Sequence, residues 1–116
     1  MGEDWARPVV HFQIVARDLE KQAEFYGRMF NWDAGVDGLR PFGFGLGGPE
    51  PGPGGHFRPG DQSHVVLYVQ VRDIHASLEL AAELGGKVIA EPVLKRGVTG
   101  AFIEDPEGNS IGLIQQ

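Results

Sequence analysis

The sequence predicts an α+β domain of two tandem βαβββ modules, and three observations carry the prediction. The first is internal repetition: Ile14-Val15-Ala16-Arg17-Asp18-Leu19 returns 55 residues later as Val69-Gln70-Val71-Arg72-Asp73-Ile74. The same shift puts Phe12 on Leu67, Phe25 on Leu80 and Met29 on Leu84, and a shift of 57 puts Gly43 to Glu50 on Gly100 to Glu107. The second is order, since a β-rich run leads into an Arg-Asp pair and then an amphipathic stretch in both copies. The third is composition: 18 glycines and 8 prolines among 116 residues suit strands and turns more than a helical bundle. Half of such a chain is too small to bury its own sheet face, so the modules, about 8–60 and about 61–116, are expected to form one domain.

Taken in order, His11 to Ala16 is rich in β-branched and aromatic residues and reads as the first strand. Asp18 then stands where a carboxylate accepts from the first free N–H groups of a helix. That helix places Leu19, Ala23, Tyr26 and Phe30 on one stripe, widened by Phe25 and Met29. Three short strands are expected next, Trp32 to Val36, Phe42 to Leu46 and a poor one near Gly54 to Phe57, the last two separated by a glycine- and proline-rich segment from Gly47 to Gly55. The second module repeats the plan. Val65 to Val71 is a strand, Asp73 an N-cap, and Ile74, Leu78, Ala81 or Ala82, and Leu84 form the helix stripe up to Gly85-Gly86. Lys87 to Leu94, Gly100 to Glu104 and Ser110 to Gln115 are the closing strands, the last two joined by the turn Asp105-Pro106-Glu107-Gly108-Asn109. Phe12, Ile14, Phe25, Leu67, Val69, Leu78 and Leu84 are the expected core.

Composition also excludes. The chain has no cysteine, so disulfides, thiolate nucleophiles and cysteine-ligated zinc are ruled out and a reducing, cytoplasmic setting is expected. Met1 to Trp5 lacks the basic-then-apolar pattern of a signal, and no stretch approaches the ~20 apolar residues that span a bilayer, so no membrane is expected as a partner. A net charge of −6 with scattered Lys and Arg disfavours nucleic acid.

The run His11-Phe12-Gln13-Ile14-Val15-Ala16-Arg17-Asp18-Leu19, with Phe25-Tyr26 and Trp32, resembles the opening of vicinal oxygen chelate modules, the glyoxalase / bleomycin resistance protein / dioxygenase group. Tyr68-Val69-Gln70-Val71-Arg72-Asp73-Ile74, Leu84-Gly85-Gly86-Lys87-Val88 and Asp105-Pro106-Glu107-Gly108-Asn109 are similar to their closing module, and together these motifs cover nearly the whole chain. The resemblance implies curved mixed sheets around a cleft. In metal-using members it implies a divalent ion held there by His, Glu or Gln, supporting lyase, isomerase or dioxygenase chemistry on a 2-oxo acid, hemithioacetal or diol. His11 matches the first ligand, but its repeat mate is Val66, and the final-strand position and its first-module counterpart fall on Gly112 and Gly55. One of four donors survives, so no metal is favoured. If Zn, Ni, Fe or Mn binds, His11, His56 and His64 are the candidates, because His64 shares a strand face with Val66 and His56 adjoins Gly55.

With Phe12, Ile14 and Ala16 turned to the helix, alternation sends His11, Gln13 and Val15 to the cleft, and the matching strand presents His64, Val66, Tyr68 and Gln70. Phe44, Ser110 and Gly112 complete the expected wall, which suits a small polar or aromatic ligand. The leading expectation is a metal-independent small-molecule-binding protein with His11, Gln13, His64 and Tyr68 in its pocket. The rivals are a metal-dependent enzyme, a non-catalytic structural module, and a metal-free catalyst using His11 or His64 as base. His75 reads as a solvated helix residue, Asp105 and Glu107 as a turn, and Gly43-x-Gly45-x-Gly47-Gly48 lacks the following helix a nucleotide loop needs. No nucleophile elbow is visible. Exposed sheet edges make a homodimer the expected assembly.

Overall fold

The computed structural model describes residues 6–32, 40–42, 54–95 and 97–115. Its elements run β1 (Val9–Ala16), α1 (Leu19–Phe30), β2 (Arg40–Phe42), β3 (Gly54–Pro59), β4 (His64–Val71), α2 (Ile74–Glu83), β5 (Lys87–Lys95), β6 (Val98–Glu104) and β7 (Ser110–Gln115). The second module is therefore βαβββ in full, and the first shows the same order over its described residues. Packing divides the chain into His11–Val66 and a second unit of Leu67–Gln116 with the residues up to Val10.

In the first unit β1 and β3 run parallel, with Gln13 opposite His56 and Ile14 opposite Phe57, and β2 lies antiparallel on β3. Asp18 caps α1 by accepting from the Lys21 N–H at 3.1 Å, as expected. The helix ends at Asn31, whose left-handed backbone (φ 61°) lets its N–H reach the Gly27 carbonyl. Ile14 and the fully buried Phe57 form the core, against which Phe12, Leu19, Ala23, Tyr26 and Trp32 pack. The Tyr26 ring stacks on Trp32 with centroids 5.2 Å apart.

In the second unit β4 and β7 are parallel, and β6 lies antiparallel between β7 and β5. Asp73 caps α2 through the Ala76 N–H, and Gly85 (φ 94°) turns the chain out of the helix. Gly86 follows because a Cβ there would lie 2.5 Å from the Glu104 carbonyl oxygen. Val71, Ile74, Leu78, Ala101 and Leu113 are buried together, with Val69, Val88, Ile103 and Ile111 around them. Asp105 holds the turn before β7, accepting from the N–H groups of Glu107 and Asn109 and from the Asn109 amide. The Gln70 N–H donates to the Pro8 carbonyl, tying the N-terminal segment to this unit.

Three expectations need correction. Phe25, Leu67 and Leu84 are not core residues: they are about half or more exposed. Phe25 lies one residue off the Leu19-Ala23-Tyr26 stripe, so the expected apolar arc was drawn too wide, and Leu84 is the C-cap beyond the last buried turn. The expected third strand is not poor, but spans six residues, with Gly55 and Phe57 buried. Trp32 lies outside any strand and packs on Phe12 and Tyr26; the rest of the Trp32 to Val36 expectation falls outside the described residues, as does Phe42 to Leu46 beyond Phe42. No helix is long and apolar enough to cross a membrane among the described residues.

Candidate functional site

Alternation along β1 sets the site. Phe12 and Ile14 go to α1, so His11 and Gln13 occupy the face turned away from the helix. On β3 Phe57 goes to the core, and His56 therefore shares the face of Gln13, its partner in register. The three side chains form a chain of contacts: His11 Nε2 lies 2.7 Å from His56 Nδ1, and His56 Nε2 lies 2.8 Å from Gln13 Oε1. The His11 and His56 rings are stacked with centroids 4.9 Å apart.

Because an amide oxygen only accepts, His56 Nε2 must donate to Gln13. A neutral His56 then has a bare Nδ1, which accepts from His11 Nε2–H. Both rings are held neutral near pH 7. Burial lowers the His11 pKa, and burial, then the His11 and Arg58 charges, lower that of His56 to about 4. Gln13, only 3 % exposed, is the fixed end of the chain.

The same face of module two has different chemistry. Tyr68 is opposite Gly112, and Val69 opposite the core residue Leu113, so Gln13–His56 and Ile14–Phe57 in module one correspond to Tyr68–Gly112 and Val69–Leu113 here. A Cβ on Gly112 would sit 2.5 Å from Tyr68 Cδ2, because the phenol ring covers it and meets Phe102 edge-on at 5.6 Å. The counterpart of Gly112 is thus His56, not Gly55. The expected shift of 57 rested on glycine matched to glycine, Gly43 on Gly100, and a one-residue slip turns a strand's side chains to the opposite face. Aligning Phe57 with Leu113, both apolar and both buried, gives 56 and would have found the register.

His64 is exposed at the start of β4, its Nδ1 bonded to the nearby Gln62 carbonyl. Tyr68 is buried, Gln70 half-buried, Ser110 exposed, and Phe44 lies outside the described residues. Phe102, beside Tyr68, was not anticipated; period-two counting from the buried Ala101 would have placed it on this face.

A divalent metal needs several convergent donors. The corrected register gives two, His11 and His56, but their nitrogens are turned on each other, and the module-two equivalents are Val66 and Gly112. No group of three or more metal-binding side chains occurs among the described residues. The donor set does not fit the superfamily's four-ligand centre.

Duplicated modules of this order, with His11 on the first strand of module one, place the chain in the vicinal oxygen chelate superfamily. A family model described as a glyoxalase-like domain matches residues 10–114, and the chain belongs to that family. Over 54 residues, 45% of the chain, it is 44% identical to a probable lactoylglutathione lyase of Synechocystis, and the match spans only 40% of that relative. A glyoxalase/bleomycin resistance protein/dioxygenase superfamily member from Vibrio splendidus shares the fold at TM-score 0.66 and 13% identity, covering 96% of this chain and 100% of that one. Methylmalonyl-CoA epimerase from Mycobacterium tuberculosis does so at TM-score 0.64 and 16% identity, covering 92% and 86%.

Proposed function

We propose that the helix-free face of module one, with His11, Gln13 and His56, binds a small polar or aromatic molecule without a resident metal, in a cytoplasmic homodimeric protein comparable to the superfamily's antibiotic-sequestering members. The observation that carries this reading is the His11–His56–Gln13 chain, which uses both nitrogens of His56 within the protein and orients a neutral polar array. The exposed Phe25, Met29 and Phe30 of α1 support self-association, which sedimentation would measure.

The test is elemental mass spectrometry of tag-free protein, followed by ligand screening before and after exhaustive chelation. Far less than stoichiometric metal, with binding unchanged by chelation and lost in His11→Ala, is the expected result. One Zn, Ni, Fe or Mn per chain, or binding that chelation abolishes, would overturn it. A second reading, a metal-dependent lyase or epimerase, draws on the matched lactoylglutathione lyase segment and on the epimerase fold. It requires stoichiometric metal and activity abolished by His11→Ala.

A further inference from the structure

Strand β5 pairs with β6 alone among the described residues, so its other edge presents backbone N–H and C=O groups that no described strand takes up. The strand is also apolar where it is most open. Ile89, Val93 and Leu94 are each more than half exposed, and with Val88 and Ala90 they make five of its nine residues. Such a segment is a ready template for the same strand of another copy of the chain. Between Ala90 and Val93 it is interrupted by Glu91 and Pro92.

Those two residues sit where the strand is least regular. Its register with β6 shifts between Val88 and Ala90, and again between Ala90 and Val93, where Glu91 and Pro92 together stand opposite the single Ala101. Each such bulge bends the strand and raises its twist. Proline has no N–H to give to a ladder and fixes its own φ. The longest unbroken run of register is Val93 to Lys95, so a partner strand would meet no longer regular stretch. Charge acts in the same direction. Lys87, Glu91 and Lys95 are exposed and equally spaced along the strand. Parallel pairing of two copies in register sets each charge beside its like, and antiparallel pairing centred on Glu91 sets Glu91 on Glu91 and Lys87 on Lys95, which is destabilising either way.

We propose that Glu91 and Pro92 are a guard built into β5, which bars it from pairing edge to edge with β5 of a second copy and leaves self-association to other surfaces of the chain. The guard belongs to module two alone and does not rest on the His11–His56–Gln13 reading. The test is sedimentation velocity of the whole protein over about a hundredfold range of concentration, with backbone amide exchange read at both ends of the range. Glu91→Thr combined with Pro92→Val puts strand-forming residues at both positions and is expected to strengthen self-association at least about tenfold over wild type. The amides of Val93 to Lys95 should then gain protection in the associated fraction and not in the dilute one. Glu91→Thr alone keeps the proline, is the milder check on folding, and is expected to strengthen association about threefold through the lost like-charge contact. Sedimentation of both variants indistinguishable from wild type would overturn the proposal, as would association of either without added protection in β5. So would wild-type protein whose β5 amides become protected as it self-associates, because the edge would then be the interface and not a barrier to one.

Discussion

Both modules build the same parallel strand pair in the same register, yet they finish the face away from the helix in opposite ways. In module one Gln13 and His56 extend a line of hydrogen bonds from His11; in module two Tyr68 lies flat over Gly112 and meets Phe102. The core positions behind them match, Ile14 and Phe57 against Val69 and Leu113. Register and core packing thus specify the backbone, while the opposite face is free to become polar or aromatic. A fold shared by duplicates does not carry its chemistry with it.

The comparison breaks most sharply at Gly112. Replacing it with alanine drives a methyl into the Tyr68 ring, an overpacking that should cost about 2–3 kcal/mol in urea denaturation. Shortening Tyr68 to alanine as well should remove that clash, so the double variant should be less destabilised than the sum of the two singles. Additive losses would show that the ring does not depend on the glycine.

Much of this was legible in the residues. Both aspartate N-caps, the Gly85 stop, the Asp105 turn and all three closing strands follow from local chemistry that neither module overrides. His11 and Gln13 follow from period two once Ile14 is given to the helix. His56 was misaligned because glycine-rich segments carry little register information, and exposure at Phe25 and Leu84 was missed because helical spacing fixes a direction without saying how far the packing extends. That His64 is turned to its own loop depends on the Gln62 carbonyl, which no side-chain pattern reveals.

A smaller effect sharpens the polar half. Gln13→Leu keeps the volume but strips the acceptor from the half-buried His56 Nε2–H, which should cost about 2 kcal/mol. It should also free His56 to exchange tautomers, visible in its ring ¹⁵N shifts. Unchanged shifts would mean that Gln13 does not set the imidazole's proton.

The smallest effect distinguishes the modules by pH, because the module-two positions equivalent to His11, Gln13 and His56 are Val66, Tyr68 and Gly112, none of which titrates in the acid range. In the folded protein the His56 pKa falls to about 4, and that of His11 is lowered too, each first by burial. Unfolded histidine takes a proton near 6.5, so between these values the unfolded chain binds more protons and stability must rise with pH. Full stability from this source is present above pH 6.5 and is lost as pH falls toward 4. The pair is only half buried, so solvent screening reduces the contribution to about 1 kcal/mol. Asp105 acts in a separate window, since its hydrogen bonds to Asn109 lower its pKa below 3.8. In urea titrations between pH 4 and 6.5, His56→Gln should therefore flatten the slope. A slope that survives that substitution unchanged would assign the dependence to groups outside the His11–His56–Gln13 chain.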